Sequence, residues 1–465
     1  MNNERNNFRT KIGIIFATAG SAVGLGNLWR FPIETGNNGG GAFLMIYLIA
    51  IIFIGLPLMI AEFAIGRSTH ANIATAYKKL SNNRFWNKIG YIGVFSATII
   101  TSYYLVVAGW TVFYLIEALS NGFSIEVTGG LEDAYTDIFS NFIANPFLSV
   151  IYTLIFILMT HLIIVKGVQK GIEKSSKIMM PMLFIIIMIL AVCSIFTPGA
   201  KEGLTFLFKP NFNKITTASL LSAIGQCFYS LSLAMGCLCT YASYFKKDVN
   251  LIKTAFNISL IDTLIAILAG VIIFPAVFSV GINPEAGPSL IFITLPHVFQ
   301  SVFGFSPVLV YIVSILFYVL LILATLTSAI SLYEVMTAFI SETYNISRNK
   351  ATIIISITMV LLGSFCALSM GELNWIKICD RNIFDIFDFV SSNILLPITG
   401  MLICLFVGWK MDKDLLYKQI TNKSRNTKDR HLTFQAILYY CIVFLLRYII
   451  PIAIAIIFID GLGII

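Results

Sequence analysis

Two stretches of small and polar residues interrupt long apolar runs of this chain. Residues 20–27 read GSAVGLGN, and residues 226–236 read QCFYSLSLAMG. Each glycine costs a helix interior about 1 kcal/mol relative to alanine, so these stretches predict a break in both helices. Inside a membrane, the carbonyl groups freed by such a break need a partner, and a bound cation is one such partner.

Close helix packing is the alternative interpretation of the first stretch, since Gly20 and Gly24 have the spacing of a helix-contact motif. Packing does not explain the polar residues Asn27, Gln226 and Ser230 in the same two stretches. The second interruption comes five apolar segments after the first, and paired interruptions are typical of transporters built from inverted repeats. We therefore predict a 5+5 repeat.

Other polar side chains inside apolar runs can also bind a cation. A carboxylate such as Asp262 costs about 2.5 kcal/mol or more inside a membrane unless it is paired. Its partner is either a cation or a proton, and a protonated, hydrogen-bonded acid is the alternative. Thr327 and Ser328 offer adjacent hydroxyl groups one turn after Ala324, although such hydroxyls also bond to their own helix.

Charged residues and helix breakers near segment ends predict further contacts. Glu62 either binds N–H groups freed at the first break or approaches the membrane surface. We expect Arg30 and Asp388 to pair across one mouth of the protein, weakly enough to open thermally. Gly171 and Pro181 flank the start of an apolar segment and predict either local unwinding or an ordinary helix start.

The composition indicates an all-α membrane protein. Of 465 residues, 58% are hydrophobic and only 12% are charged, whereas about a quarter of a soluble domain is charged. The net charge of +8 comes mainly from short loops without a basic stripe, so we predict no nucleic-acid partner. About eleven transmembrane helices are expected, numbered one to eleven below, at residues 11–36, 41–66, 89–120, 147–166, 175–197, 217–243, 252–281, 306–342, 351–370, 384–409 and 433–460.

The distribution of Lys and Arg orients these segments. One alternating set of loops holds 24 of the 31 cations, and the other set holds six. Cytoplasmic loops carry the excess of cations in membrane proteins, so we expect the N-terminus in the cytoplasm. Eleven crossings then place the C-terminus outside.

Several motifs are specific enough to indicate a family. Residues 20–27 precede WRFP at 29–32 and NGGGAF at 38–43, and GQCFYSLS at 225–232 precedes TYASY at 240–244. From Arg5 to about Ile459 the chain resembles the neurotransmitter:sodium symporter family, which has the leucine-transporter fold. Eleven segments and the short length look like the bacterial amino-acid branch, similar to the tyrosine and multi-hydrophobic-amino-acid symporters.

The resemblance implies a symporter, not an enzyme, that imports hydrophobic or aromatic L-amino acids with sodium by alternating access. It implies one transmembrane domain over residues 1–465, with repeats at about 11–197 and 217–409 and an extra helix at about 433–460. The expected partners are two sodium ions, the amino acid and the lipid bilayer of a bacterial inner membrane, and a homodimer is left open. A channel or an intramembrane enzyme is disfavoured, because the sequence shows no repeated filter segments and no His-Glu-x-x-His motif.

The resemblance also assigns the ion sites. Sodium site one would use one carbonyl and three side chains, those of Ala22, Asn27, Ser230 and Asp262. The family has asparagine at the last of these positions, so Asp262 is a departure. Sodium site two would use three carbonyls and two hydroxyls, those of Gly20, Val23, Ala324, Thr327 and Ser328.

The substrate and gate residues implied by the resemblance form three sets. Substrate contacts fall to Ser21, Ala22, Gly24, Leu25, Gly26, Ile100, Tyr104, Tyr229, Ser230, Ser232, Met235, Ser328 and Leu332. The external gate would be Arg30, Asp388, Tyr104 and Tyr229. The internal gate would be Arg5, Ser243, Tyr244 and Glu342. Monoamine carriers of the family place aspartate where this chain has Gly24, and glycine leaves room for the carboxylate of an α-amino acid.

Chloride-dependent relatives hold the anion with a tyrosine, a glutamine and two hydroxyl positions. Tyr47, Gln226 and Ser230 match three of these, but the fourth position is Ala266. Asp262 lies one turn away and supplies a fixed negative charge. We therefore expect transport that does not depend on chloride.

Overall fold

The computed structural model describes residues 7–120, 123, 131–281, 290–422 and 434–464, most of which are helical. Within these residues, nine helices are long and apolar enough to span a membrane, at Gly41–Thr69, Arg84–Leu119, Pro146–Ile164, Val168–Ile195, Leu251–Ser279, Pro307–Thr343, Arg348–Leu368, Ile383–Lys410 and Phe434–Gly461. They correspond to predicted segments two to five and seven to eleven. The prediction of an all-α membrane protein is confirmed.

Segment one is broken, as predicted. Lys11–Ala22 and Gly26–Asn37 together are apolar enough to span, but they meet at an angle of 51°. Val23 has extended backbone angles, with φ −69° and ψ 111°, so the hydrogen-bond ladder of the helix stops there. The chain resumes in a π-helical turn at Gly26–Arg30 and an α-helix at Phe31–Asn37.

Segment six is broken as well, into Thr217–Ser230 and Cys237–Ala242. Three residues between the two parts have positive φ: Ser232 at 51°, Ala234 at 62° and Gly236 at 81°. A left-handed conformation costs a residue with a Cβ atom about 1–2 kcal/mol, so other contacts must stabilise it. The Glu62 carboxylate accepts a hydrogen bond of 2.7 Å from the Ala234 N–H, and the Ser232 hydroxyl donates one of 2.8 Å to the Ser21 carbonyl.

The expected role of Glu62 therefore needs correction. Its carboxylate is fully buried, so it does not approach the membrane surface, and the N–H group that it binds belongs to the second break rather than the first. Segment two packs against the part of segment six that follows the break, which brings the two groups together.

Shorter helices connect the segments, at Ile73–Leu80, Leu131–Ala144, Ala200–Phe208, Leu295–Phe303 and Lys413–Thr421. Segment five begins with a π-helical turn at Val168–Glu173, after Gly167 at φ +84°. Within that turn, a Cβ atom on Gly171 would lie 2.1 Å from the Ile163 carbonyl oxygen, so only glycine fits. Pro181 lies inside the continuous helix Lys174–Ile195.

A buried ion pair lies at the end of the bundle that holds residues 67–88, 166–177 and 246–253, which we call the cation-rich end. Glu334 of segment eight is fully buried and pairs with Arg348, which begins segment nine. The Tyr244 hydroxyl donates a hydrogen bond of 2.6 Å to the same carboxylate. Arg348 also donates to the Ile164 carbonyl at 2.9 Å, so the pair joins four segments.

The substitution Glu334→Leu should destabilise the fold by about 3 kcal/mol, because it leaves the Arg348 guanidinium without its carboxylate. The double variant Glu334→Leu/Arg348→Leu should recover most of this loss, since replacing both members of a buried pair by apolar residues is often nearly neutral. Thermal unfolding in detergent, followed by tryptophan fluorescence, measures both effects. A double variant that is less stable than either single variant would contradict this account of the pair.

Candidate functional site

The first break presents its carbonyl groups to segment eight. The Ser328 hydroxyl lies 2.9 Å from the Val23 carbonyl oxygen and 3.4 Å from that of Gly20. The Thr327 hydroxyl donates to the Ala324 carbonyl at 2.9 Å, and a Cβ atom on Gly20 would lie 3.1 Å from the Thr327 Cβ. The five residues expected for sodium site two are therefore neighbours, and their oxygen atoms are of the kind that alkali cations bind.

Three of the four residues expected for sodium site one, Asn27, Ser230 and Asp262, are hydrogen-bonded to one another, and the fourth, Ala22, lies at the end of the helix before the first break. The Asn27 amide nitrogen lies 2.8 Å from one carboxylate oxygen of Asp262 and 3.1 Å from the Ser230 hydroxyl, which donates 2.7 Å to the other carboxylate oxygen. The Asn27 amide oxygen accepts a hydrogen bond of 3.1 Å from the Gly24 N–H. All these side chains are fully buried. The Asn27 amide must rotate before its oxygen can join Asp262 and Ser230 around a cation.

The positions linked to chloride lie near this cluster, on segments two, six and seven. The Tyr47 hydroxyl donates to the Ser230 hydroxyl at 3.0 Å, and the Gln226 amide donates 2.7 Å to the Gly26 carbonyl. Ala266 is buried and offers no hydroxyl group. An acidic residue, Asp262, lies one turn from Ala266 on the same helix.

A cavity lies between the two breaks. It is lined by Ser21, Ala22, Gly24, Leu25, Gly26, Ile100, Tyr104, Tyr229, Ser232, Met235, Ser328, Ser331 and Leu332. Of the expected substrate contacts, Ser230 does not line the cavity and faces Asp262 instead. Ser331 lines it although it was not expected, and only its position one turn after Ser328 could have indicated it.

Gly24 is what permits the close approach of segments one, three and eight. A Cβ atom at this position would lie 2.5 Å from the Ser328 hydroxyl oxygen and 3.0 Å from that of Tyr104. The Tyr104 hydroxyl is buried and has no hydrogen-bond partner among the described residues. It is therefore free to bind a ligand that enters the cavity beside the Gly24–Gly26 backbone.

A larger cavity lies on the other side of Tyr229, away from the cation-rich end. Tyr104, Tyr229 and Leu25 line both cavities, so these side chains separate them. The Arg30 guanidinium stacks over the Tyr229 ring, 4.8 Å from its centroid.

The expected pair of Arg30 and Asp388 is not formed, although both residues line the larger cavity. Arg30 lies 3.6 Å from Glu34, one turn further along its own helix, and Asp388 accepts a hydrogen bond of 3.2 Å from Ser392. Each of the two charged side chains thus contacts a residue four positions further along its own segment. The positions of Arg30 and Asp388 in the sequence do not show whether they contact each other instead.

The expected internal gate divides into two clusters. Arg5 lies outside the described residues. The Tyr244 hydroxyl donates a hydrogen bond to Glu334, whereas Glu342 accepts hydrogen bonds of 2.8 and 2.9 Å from the backbone and side chain of Asn72.

The backbone next to Tyr244 makes further contacts at this end. Phe8 packs edge-on against the Tyr244 ring, and the Phe8 N–H donates a hydrogen bond of 3.2 Å to the Tyr244 carbonyl. The Ser243 carbonyl lies 2.9 Å from a ring nitrogen of His70.

Sequence reasoning missed several residues at the cation-rich end. Glu334 was detectable, because a lone carboxylate in an apolar run is a functional or structural signal by itself. Glu173 was not, because its role depends on tertiary contacts. Its carboxylate accepts hydrogen bonds from the N–H groups of Arg9 and Thr10, at 2.8 and 3.2 Å, and from Lys177 at 2.6 Å. This carboxylate attaches the base of segment one to segment five.

The fold and the site together define a class of protein. Two broken membrane helices meet around a cavity, and polar groups of the first break contact a hydroxyl group of segment eight and a carboxylate of segment seven. This arrangement is that of secondary transporters, which bind substrate and coupling ion at discontinuous helices near the middle of the membrane.

Comparison with known proteins also indicates a transporter. The Sodium:neurotransmitter symporter family matches residues 5–128 and 143–462. An uncharacterized sodium-dependent transporter of Bacillus subtilis (strain 168), YhdH, is 38% identical over 98% of this chain and 97% of its own length. The sodium- and chloride-dependent GABA transporter 2 of Rattus norvegicus is 23% identical over 90% of this chain and 75% of its own length. The crystal structure of MhsT in complex with L-phenylalanine has a TM-score of 0.87 and 39% identity, over 98% of this chain and all of that one.

The chain therefore belongs to the sodium:neurotransmitter symporter family. It is a membrane transporter that couples transport to sodium.

The substitution Gly24→Ala should raise the sodium concentration that is needed to stabilise the folded protein. The added Cβ atom would displace the Ser328 hydroxyl from the first break. Sodium bound to the folded state raises the midpoint of thermal unfolding. We expect Gly24→Ala to need about tenfold more sodium for the same rise, which corresponds to 1.4 kcal/mol of binding free energy. Gly225→Ala is the matched control, since nothing lies within 4 Å of its added Cβ atom. If the unfolding midpoints of both variants rose equally with sodium concentration, the role given to Gly24 would be contradicted.

Proposed function

We propose that this protein imports hydrophobic or aromatic L-amino acids by alternating access. The cavity between the two breaks carries the proposal. Ile100, Met235 and Leu332 give it apolar walls, which suit an apolar side chain. The N–H groups of Leu25 and Gly26 and the Tyr104 hydroxyl suit a carboxylate. The similar protein MhsT was crystallised with L-phenylalanine, a ligand of this chemistry.

The substrate amine would bind acceptor groups of the same breaks. Carbonyl groups near Ala22 and Tyr229 and the Ser232 hydroxyl border the cavity. An α-amino acid would thus find acceptors for its ammonium group and donors for its carboxylate at the edges of the same cavity. A monoamine lacks the carboxylate, and Gly24 offers no negative charge in its place.

Two sodium ions would bind at the two sites described above. One would lie between the first break and segment eight, and the other beside Asp262 and the substrate carboxylate. Each ion would replace hydrogen bonds that now satisfy buried oxygens, such as the one from Ser328 to the Val23 carbonyl. The inward sodium gradient would then drive accumulation of the amino acid, with about 2.3 kcal/mol for each net charge that crosses 100 mV.

The cation-rich end would face the cytoplasm of a bacterial cell, with the protein in the inner membrane. The excess of Lys and Arg at that end supports this orientation. The larger cavity above Tyr229 would then be the external entrance, and Arg30 and Asp388 would narrow it when they approach each other. The region of Tyr244 and Glu342 would close the internal side.

Removal of a sodium ligand should weaken coupling. We expect Thr327→Ala and Asn27→Ala to raise the sodium concentration that half-saturates phenylalanine uptake into proteoliposomes at least about fivefold, or about 1 kcal/mol. Thr325→Ala is the control, because its hydroxyl also bonds to carbonyls of its own helix, at 2.8 and 3.1 Å, whereas only Thr327 lies against Gly20 of the first break. Unchanged sodium dependence in both ligand variants would count against the two sites. Uptake that does not saturate with substrate would instead favour a channel.

We also expect uptake that does not need chloride, because the Asp262 carboxylate already supplies the negative charge beside Asn27 and Ser230. Replacement of external chloride by gluconate should change the wild-type rate by less than about twofold. The variant Asp262→Ser removes the charge and adds a hydroxyl group, so its uptake should become chloride-stimulated. Strong stimulation of the wild type by chloride would refute this.

A further inference from the structure

A cation lies within the last membrane-spanning segment. Arg447 is the only Lys or Arg of Phe434–Gly461, and this helix is the least buried of the nine spanning helices that the structure describes. A charged side chain in such a segment is costly unless it pairs with another group or reaches the lipid headgroups. The surroundings of Arg447 therefore decide which group neutralises its charge.

One edge of the Arg447 guanidinium is held by segment ten. Its Nε atom donates a hydrogen bond to the Gly408 carbonyl, in the last, π-helical turn of that segment. The C-terminal end of a helix carries a partial negative charge, so a cation is stabilised there. A Cβ atom on Gly408 would lie 2.8 Å from the Arg447 Cγ, so glycine leaves the space that the arginine side chain occupies.

This turn of segment ten lies at the membrane surface of the cation-rich end. The segment ends at Lys410, and Arg67 donates a hydrogen bond of 2.7 Å to Gln419 of the helix that follows. The neighbouring Trp409 side chain is 57% exposed on the outside of the bundle. Exposed tryptophan and tyrosine side chains mark the interface between membrane and water. The Arg447 guanidinium thus lies at the depth of the lipid headgroups.

The other edge of the guanidinium has no protein partner within the described part of the chain. No hydrogen bond of its two terminal amino groups and no ion pair with a carboxylate is formed there. The Arg447 Cζ lies 5.4 Å from the centroid of the Trp409 ring, and the Trp409 and Tyr448 rings meet edge-on with centroids 5.5 Å apart. A planar pair of amino groups has the geometry that binds two oxygens of a phosphate.

We propose that Arg447, framed by Trp409 and Tyr448, binds the phosphate group of an anionic phospholipid in the leaflet at the cation-rich end. Lys410 is exposed and follows Trp409 in the chain, so a second positive charge favours an anionic headgroup over a zwitterionic one. The exposed rings of Tyr448 and Phe444 lie 5.4 Å apart along segment eleven and would contact an acyl chain. The site is separate from the ion and substrate sites and does not depend on the substrate proposed above.

The test measures thermal unfolding of the full chain in detergent, with added dioleoylphosphatidylglycerol or dioleoylphosphatidylcholine. A lipid that binds the folded state raises the unfolding midpoint. In the wild type, phosphatidylglycerol should give the same rise at about tenfold lower concentration than phosphatidylcholine. Arg447→Gln should need about tenfold more phosphatidylglycerol, because it removes charge-assisted hydrogen bonds to the phosphate. Native mass spectrometry of the same samples should show that this variant loses bound phosphatidylglycerol.

Two further variants separate the position of the guanidinium from its charge. Gly408→Ala keeps the charge but displaces the Arg447 side chain, so it should weaken the response to phosphatidylglycerol about fivefold. Lys350→Gln is the matched control, because it removes an exposed cation from the first turn of segment nine, at the same end of the bundle. It should keep the wild-type response.

Equal stabilisation of the wild type by the two lipids would overturn the inference, and this comparison needs no variant. An unchanged response in a folded Arg447→Gln variant would overturn it too. Equal stabilisation by inorganic phosphate, at the concentration of the lipid, would overturn it by assigning the site to a free anion. A wild-type dimer that Arg447→Gln converts to a monomer, with no change in the response to lipid, would overturn it by showing an interface between two copies of the chain.

Discussion

Every polar backbone group inside a membrane needs a partner, and the structure depends on how the two broken helices meet that need. Each break supplies partners to the other: Ser232 donates to the Ser21 carbonyl, and Gln226 donates to the Gly26 carbonyl. Glu62 accepts a hydrogen bond from the Ala234 N–H group of the second break. The breaks therefore stabilise one another only when they lie at the same depth, and a cavity with polar edges is the consequence.

The buried carboxylates of Glu334 and Asp262 also need partners, and the two have partners of different kinds. Glu334 is neutralised permanently by Arg348, and the pair fixes segments to each other at the cation-rich end. Asp262 has no such cation beside it and accepts hydrogen bonds from Asn27 and Ser230 instead. Hydrogen bonds of this kind can be exchanged for contacts with a mobile ion, whereas a fixed guanidinium cannot leave. One carboxylate is thus suited to structure and the other to binding.

The breaks could be predicted from the sequence because glycines and polar residues inside apolar runs are costly and few alternatives explain them. Nearly the whole cavity lining was predicted as well, but from the resemblance to the family. The sequence did not predict contacts that depend on a choice between near-equal partners. Arg30 contacts Glu34 rather than Asp388, and the Asn27 amide turns its nitrogen rather than its oxygen to Asp262. Such choices are decided by side-chain rotamers and neighbouring segments, which residue spacing does not encode.

The two proposed ion sites and the proposed substrate site share one short stretch of backbone. This sharing would couple the binding of ions to the binding of substrate. Residues 20–27 supply the carbonyls next to Ser328, the amide next to Asp262 and one wall of the cavity. A ligand that orders this stretch at one site reduces the cost of ordering it at the other two, and this effect is necessarily reciprocal. The absence of a side chain at Gly24 keeps that stretch within contact distance of Ser328 and Tyr104. In the proposed function, these eight residues would link ion binding to substrate binding directly.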